Sequence, residues 1–123
     1  MHKQAVEESA VWISNYLEHC LFFGNKKRLY GYAVEKLKKV SNTELLYLKF
    51  GVQTGTSINF FAQNISNKIH GFDSFEGLPE EWKGWSGAKG QFSMNGVLPI
   101  VESNVQLVKG LIEYTFCFFE ATH

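Results

Sequence analysis

The stretch from Leu45 to Val52, LLYLKFGV, limits the fold more than any other part of the chain. It is almost continuously apolar, it is too short for a typical helix, and a glycine sits near its end. Such a run predicts a strand buried on both faces, as in a parallel sheet. Parallel strands must be joined by crossovers, and these are usually helical. The run therefore points to an α/β fold. One residue resists the reading: Lys49 places an ammonium inside a strand that should be buried.

The flanking segments agree with that layout. Val6, Ala10, Ile13, Leu17, Cys20 and Leu21 recur at spacings of three and four, which predicts an amphipathic helix over 5–23 stopped by Gly24 and Asn25. A second helix is expected over 27–40, with Leu29, Ala33, Leu37 and Val40 inward and Lys36, Lys38 and Lys39 at its negative end. Ser41, Asn42 and Thr43 form a polar turn. After the central strand, Thr56 or Ser57 can cap a helix over Ile58 to Ile65. Lys68 to Phe72 reads as a second strand closed by Asp73, and Val105 to Val108 as a third, followed by a turn at Lys109 and Gly110. Residues 74–100 contain five glycines and two prolines and form a long loop of the kind that is often functional. Residues 111–120 begin another helix or an apolar tail. The expected architecture is α/β, a partial Rossmann-like three-layer sandwich: three parallel strands preceded by two helices. A helical segment over 1–40 leads into a sheet-bearing unit over 41–123, which reads as the front half of a doubly wound domain.

Composition narrows the partners. Twelve basic residues balance twelve acidic ones over 123 positions, so no broad field steers nucleic acid or an anionic membrane. No stretch reaches the ~18 consecutive apolar residues of a membrane span. Cys20 and Cys117 each lie among apolar residues and are expected to be buried free thiols. With an N-terminus unlike a secretory leader, the expected compartment is a reducing cytoplasm. His19, His70 and His123 make no metal-ligand pattern, and His70 is expected to be structural.

The candidate site lies where the first strand meets its turn. In doubly wound sheets ligands bind beyond the carboxyl ends of the strands. Gly51 and Gly55 allow a close backbone approach, and Thr56 and Ser57 open the next helix, whose free N–H groups suit an anion. The G-x-x-x-G spacing is not the pyrophosphate fingerprint G-x-G-x-x-G. Asp73 closes the second strand 22 positions after Gly51, where an acid commonly accepts ribose hydroxyls. An adenosine-type ligand fits both features; a plain glycine turn and an aspartate capping its own turn are the simpler alternative.

The segments YLKFGVQTGTS, HGFDSFEGLPEEW and NVQLVKG resemble the TylF-type (macrocin) family of S-adenosylmethionine-dependent O-methyltransferases and its wider class I relatives, over about residues 27–115. The resemblance implies that Gly51, Gly55 and Ser57 line the methionine end of the cofactor. It implies that Asp73 holds the ribose, with Ser74 and Phe75 beside the adenosine and Lys109 and Gly110 near the adenine edge. Trp82 and Trp85 would lie toward a small-molecule or sugar-containing acceptor, or simply form an apolar lid. The family has about seven strands and a later acidic segment for a divalent metal. No such segment follows Gly110, so no metal ligand and no catalytic base is assigned, and the chain reads as a cofactor-binding portion.

Lys49 departs from that family, which usually carries an acid there. Two like charges ~4 Å apart at an effective dielectric of 20 repel by about 4 kcal/mol. Lys49 therefore opposes a cationic cofactor unless it snorkels outward or loses its proton. Lys49→Glu is expected to strengthen cofactor binding. Two other classes stay open: half of an NAD-type Rossmann domain, and a non-catalytic module that associates with a second copy through its open sheet edge.

Overall fold

The computed structural model describes residues 2–40, 44–82 and 87–123. The expected polar turn at Ser41, Asn42 and Thr43, and Trp85, lie outside the described residues. The elements run α1 (His2–Ser14), α2 (Lys26–Lys39), β1 (Tyr47–Phe50), α3 (Thr56–Asn64), β2 (Ile69–Asp73), β3 (Val105–Lys109) and α4 (Ile112–Thr122). The three strands form one parallel sheet in the order β1-β2-β3. Lys49 is level with Gly71, and Asp73 is level with Lys109. This is the α/β partial sheet that the change of period predicts.

β2 is the central strand. Its first four residues are buried, and their side chains alternate between two packed layers. Ile69 joins Val52, Ile58, Ala62 and Phe75 in the core beneath α3. His70 and Phe72 face α4: the His70 ring meets Phe119 edge-on at 4.7 Å, and Phe72 meets the same ring at 5.2 Å. Gly71 lets α3 approach closely, because a Cβ there would come within 2.6 Å of Ile58 Cδ1. Burial of these apolar side chains, at roughly 25 cal/mol per Å² of apolar surface, holds the layers together.

The expectation that the Leu45–Val52 run is buried on both faces is corrected. β1 is only half-buried, Phe50 is 49% exposed, and Leu45 and Leu46 are exposed. The reason is topological: among the described residues β1 pairs only with β2, so it lies at an edge of the sheet. Apolar content alone does not distinguish an edge strand from a central one.

The helices need similar corrections. α1 ends at Ser14, and a short 3₁₀ turn follows at Leu17–His19. Every residue from Lys3 to Phe22 is exposed, so the apolar stripe of the expected 5–23 helix packs on nothing described. Cys20 is exposed for the same reason. Cys117 is exposed because α4 turns Phe116 and Phe119 toward the sheet and Cys117 away from it; the expected buried thiols are both at the surface. α2 matches the expected 27–40 to within one residue at each end and is capped by Asn25, whose side chain accepts from the Arg28 amide at 3.0 Å. Its buried residue is Val34; Leu29 and Val40 are exposed. Ring contacts from Tyr30 to Phe60 and Phe61 on α3 set that rotation. α3 begins one residue before the expected caps: Gly55, at φ 84°, is the N-cap, so Thr56 and Ser57 are its first helical residues.

Polar links fix the loops at both ends of α3. The Asn104 side-chain amide donates to the carbonyls of Ala62, Ile65 and Asn67 at 3.0–3.1 Å, tying the helix end to the start of β3. Asn59 donates to the Ile100 carbonyl and accepts from the Glu102 amide, each at 3.0 Å. The long loop is also ordered from within. The Phe75 carbonyl accepts from the amides of Met94 and Gly96, and Gly77 (φ 84°) packs directly on the carbonyl of Gly90. A side chain at Gly77 would be strained by its φ and would collide with backbone.

Candidate functional site

The carboxyl ends of β1 and β2 converge on one carboxylate. Asp73 Oδ2 accepts from the backbone amides of Val52 at 2.7 Å and Gln53 at 2.8 Å, and Oδ1 accepts from the Phe75 amide at 2.8 Å. The turn after β1 presents its amides on one side, and Asp73 fills that anion-binding position from within the chain. Burial pushes the Asp73 carboxyl up. The amides of Phe75, Gln53, Val52 and Ser74 outweigh that and hold it below its ordinary value of 3.8. A carboxylate has about four acceptor positions, and these four amides engage it before any ligand is considered.

Lys49 stands on the same turn. Its Nζ donates to the Gly51 carbonyl at 2.6 Å. Burial lowers the Lys49 ammonium from its ordinary 10.5, and the nearby Asp73 carboxylate opposes that shift. Lys49 is half-buried and lines both the cavity described next and the hollow between α2, β1 and α3.

That cavity, of about 960 Å³, opens at the carboxyl end of the sheet. Its size is at the upper end of the range usual for small-molecule sites. Of the residues expected at the site, Gly51, Ser57, Asp73, Ser74, Gly110 and Trp82 line it. Gly55, Phe75 and Lys109 are placed apart from it, and Trp85 lies outside the described residues. Gly55 faces Pro99 and Asn59. Phe75 is 1% exposed and belongs to the core beneath α3. Lys109 reaches across to the Gly96 carbonyl at 2.7 Å and lines a neighbouring cavity of about 530 Å³.

Sequence reasoning missed several walls. Leu78, Pro79, Glu80 and Phe92 come from the long loop, and Leu111, Ile112 and Glu113 come from the start of α4. The glycine and proline content of 74–100 was the available signal for the loop residues. Nothing in the local sequence marks the α4 residues, because they arrive through the register of β3. Trp82 forms a tilted ring pair with Phe92, at 6.3 Å between centroids. Another hollow, of about 820 Å³, lies between α2, β1 and α3 and is walled mostly by apolar side chains such as Leu37, Tyr47 and Phe61. Among the described residues, no group of three or more His, Cys, Asp or Glu side chains is placed to hold a metal ion. Among the same residues no helix is long and apolar enough to cross a membrane.

The sequence matches no protein-family model and no curated protein. The structure is similar to the crystal structure of CalS11, a calicheamicin methyltransferase, with a TM-score of 0.57 and 20% sequence identity. The match covers 76% of this chain and 47% of that one, so the chain spans about half the length of the methyltransferase it resembles. At this identity the likeness establishes the fold: the sheet and its helices form a partial methyltransferase-type, Rossmann-like layer structure.

Proposed function

We propose that the chain is the cofactor-binding portion of an S-adenosylmethionine-dependent O-methyltransferase of the TylF kind, with a small-molecule or sugar-containing acceptor. The observation that carries this reading is the turn after β1. Its amides at Val52 and Gln53 are held by Asp73, so they are taken before a pyrophosphate could use them. An NAD-type site grips pyrophosphate through such amides. A thioether or sulfonium ligand has no phosphate and needs only the open side of the turn. The fold likeness and the cavity at the strand ends support the same choice.

The residues present fit an adenosyl ligand. Gly51 and Ser57 would border its amino-acid end, a ribose hydroxyl would share Asp73 with the backbone amides that hold it, and Ser74 and Gly110 would flank the adenosine. Trp82, on the loop side of the cavity, would face the acceptor. The cofactor supplies a methyl group on a positively charged sulfur. The chain's own contribution is to orient the reactants and exclude water.

Thermal denaturation with added ligand tests the proposal. S-adenosylhomocysteine at about 100 times its Kd is expected to stabilise the chain by ~2.7 kcal/mol and raise Tm by several degrees, with no response to NAD. Stabilisation by NAD alone would replace this reading with a dinucleotide site.

A further inference from the structure

Two apolar surfaces of the chain lie open among the described residues, and their charges are complementary. The first is the α1 arm. At helical periodicity Val6, Ala10, Trp12 and Ile13 share one face of α1, and Glu7 and Glu8 lie on its two sides. Trp12 is 64% exposed, and its ring meets Tyr16 at 4.8 Å. Leu17, Leu21 and Phe22 carry the exposed apolar surface on beyond the helix. An apolar patch of this extent marks an interaction surface.

The second is the hollow of about 820 Å³ between α2, β1 and α3, whose walls include Leu37, Val40, Leu46 and Phe61. Lys36 and Lys39 of α2 line it, and Lys49 does so from β1, though its ammonium is bonded to the Gly51 carbonyl. Among the described residues no Asp or Glu lines it, and neither does any residue of α1. Phe23, where the arm approaches α2, meets Tyr32 of the hollow wall at 5.3 Å. The arm is therefore rooted at the rim of a hollow that it leaves empty.

We infer that two copies of this chain exchange α1 arms, each laying the face of Val6, Trp12 and Ile13 in the hollow of the other. This goes beyond the cofactor reading and does not depend on it. A second copy covers both open surfaces at once, because each copy supplies one arm and one hollow, and the arrangement closes about a twofold axis. Exchange of an identical element is a low-cost route to a dimer. Glu7 and Glu8, flanking the apolar face, would then meet Lys36 and Lys39, as charges beside an apolar seam set partner choice between helices.

Sedimentation equilibrium of the full chain tests this, with circular dichroism reading the fold of each variant. The wild type should have twice the 14.0 kDa mass of one chain. Trp12→Asp and Ile13→Asp spoil the arm, and Val40→Asp and Leu46→Asp spoil the hollow; all four positions are exposed, so the fold should persist. Each variant should weaken the dimer by about 30-fold or more, the scale of a central interface anchor. An arm variant mixed with a hollow variant should associate more tightly than either alone, because one intact arm then meets one intact hollow. A monomeric wild type, including one whose arm folds back into its own hollow, would overturn the inference. A dimer indifferent to the arm variants would also overturn it, and would point to the open edge of β1. A mixture no tighter than the separate variants would place the contact between two arms and overturn it as well.

Discussion

β1 and β2 are adjacent, parallel and in register, yet they have different roles. β2 is covered on both faces, by α3 and by α4, and its Phe72 is fully buried. β1 is half-buried, carries Lys49, and leaves Phe50 49% exposed. The strand that holds the sheet together is therefore not the strand that opens the site. Asp73 joins the two roles: it ends the buried strand and fixes the turn of the exposed one through 2.7 and 2.8 Å hydrogen bonds. A site built this way can vary at β1 without loosening the core.

The sharpest way to break the comparison is to delete matched aromatics. Phe72→Ala should cost about 3–5 kcal/mol, because it empties a fully buried position between the Phe50, Phe116 and Phe119 rings. Urea denaturation measures this. A loss below about 1 kcal/mol would mean that β2 is not the structural centre.

Asp73→Ala should come next, at roughly 2–3 kcal/mol, since it leaves the Val52, Gln53 and Phe75 amides without their carboxylate. Asp73→Asn, which keeps one acceptor oxygen, should lose less. Hydrogen exchange should show the turn amides at 52 and 53 opening in Asp73→Ala while the β2 amides stay protected.

Acid should separate the two roles again. Burial, His123 and Lys68 all lower the His70 pKa from its ordinary 6.5, so the unfolded chain binds this proton more readily than the folded one. Stability from neutral His70 is complete above pH 6.5 and declines as pH falls below it. Asp73 is also lowered, from 3.8, and its contribution is complete above that value and lost as pH falls through its folded pKa. Denaturation midpoints against pH should therefore decline in two stages, with His70→Leu removing the upper stage and Asp73→Asn the lower. A single stage below pH 4 in the wild type would contradict the buried, neutral His70.

The smallest effect is expected at the edge. Phe50→Ala removes a ring that is half in solvent and stacked on Phe72 at 5.2 Å, and should cost about 1 kcal/mol. A cost equal to that of Phe72→Ala would erase the difference between the strands.

The layout was legible because period and punctuation are local properties. β1 lies within its expected run, β2 and β3 each extend one residue past theirs, to Asp73 and Lys109, α2 and α3 start within two residues of expectation, and the acid at Asp73 sits at a strand end. Burial was less legible because it depends on neighbours. LLYLKFGV is the more apolar of the two, while IHGFD carries His70 and Asp73, and only the strand order shows that the second is central. The stripe through Val6, Ile13 and Leu17 is periodic, but no described element lies against it, so the helix stops early and Cys20 stays exposed. At the site, Gly51, Ser57, Asp73, Ser74, Gly110 and Trp82, which the turn pattern and the family resemblance had singled out, line one cavity. It could not foresee that Asp73 would face inward onto the turn amides, that Phe75 would fill the core, or that Lys109 would bond to Gly96. Those outcomes depend on φ values and loop closure that residue types do not fix.

The central claim is that the cavity at the carboxyl ends of the strands is the adenosyl site. Titrating S-adenosylhomocysteine into the ¹⁵N-labelled chain tests it most directly. The account predicts saturable amide shifts at Gly51, Ser74 and Gly110, with α1 and the α2–α3 hollow unmoved. Shifts confined to that hollow, or no shifts at all at millimolar ligand, would contradict it.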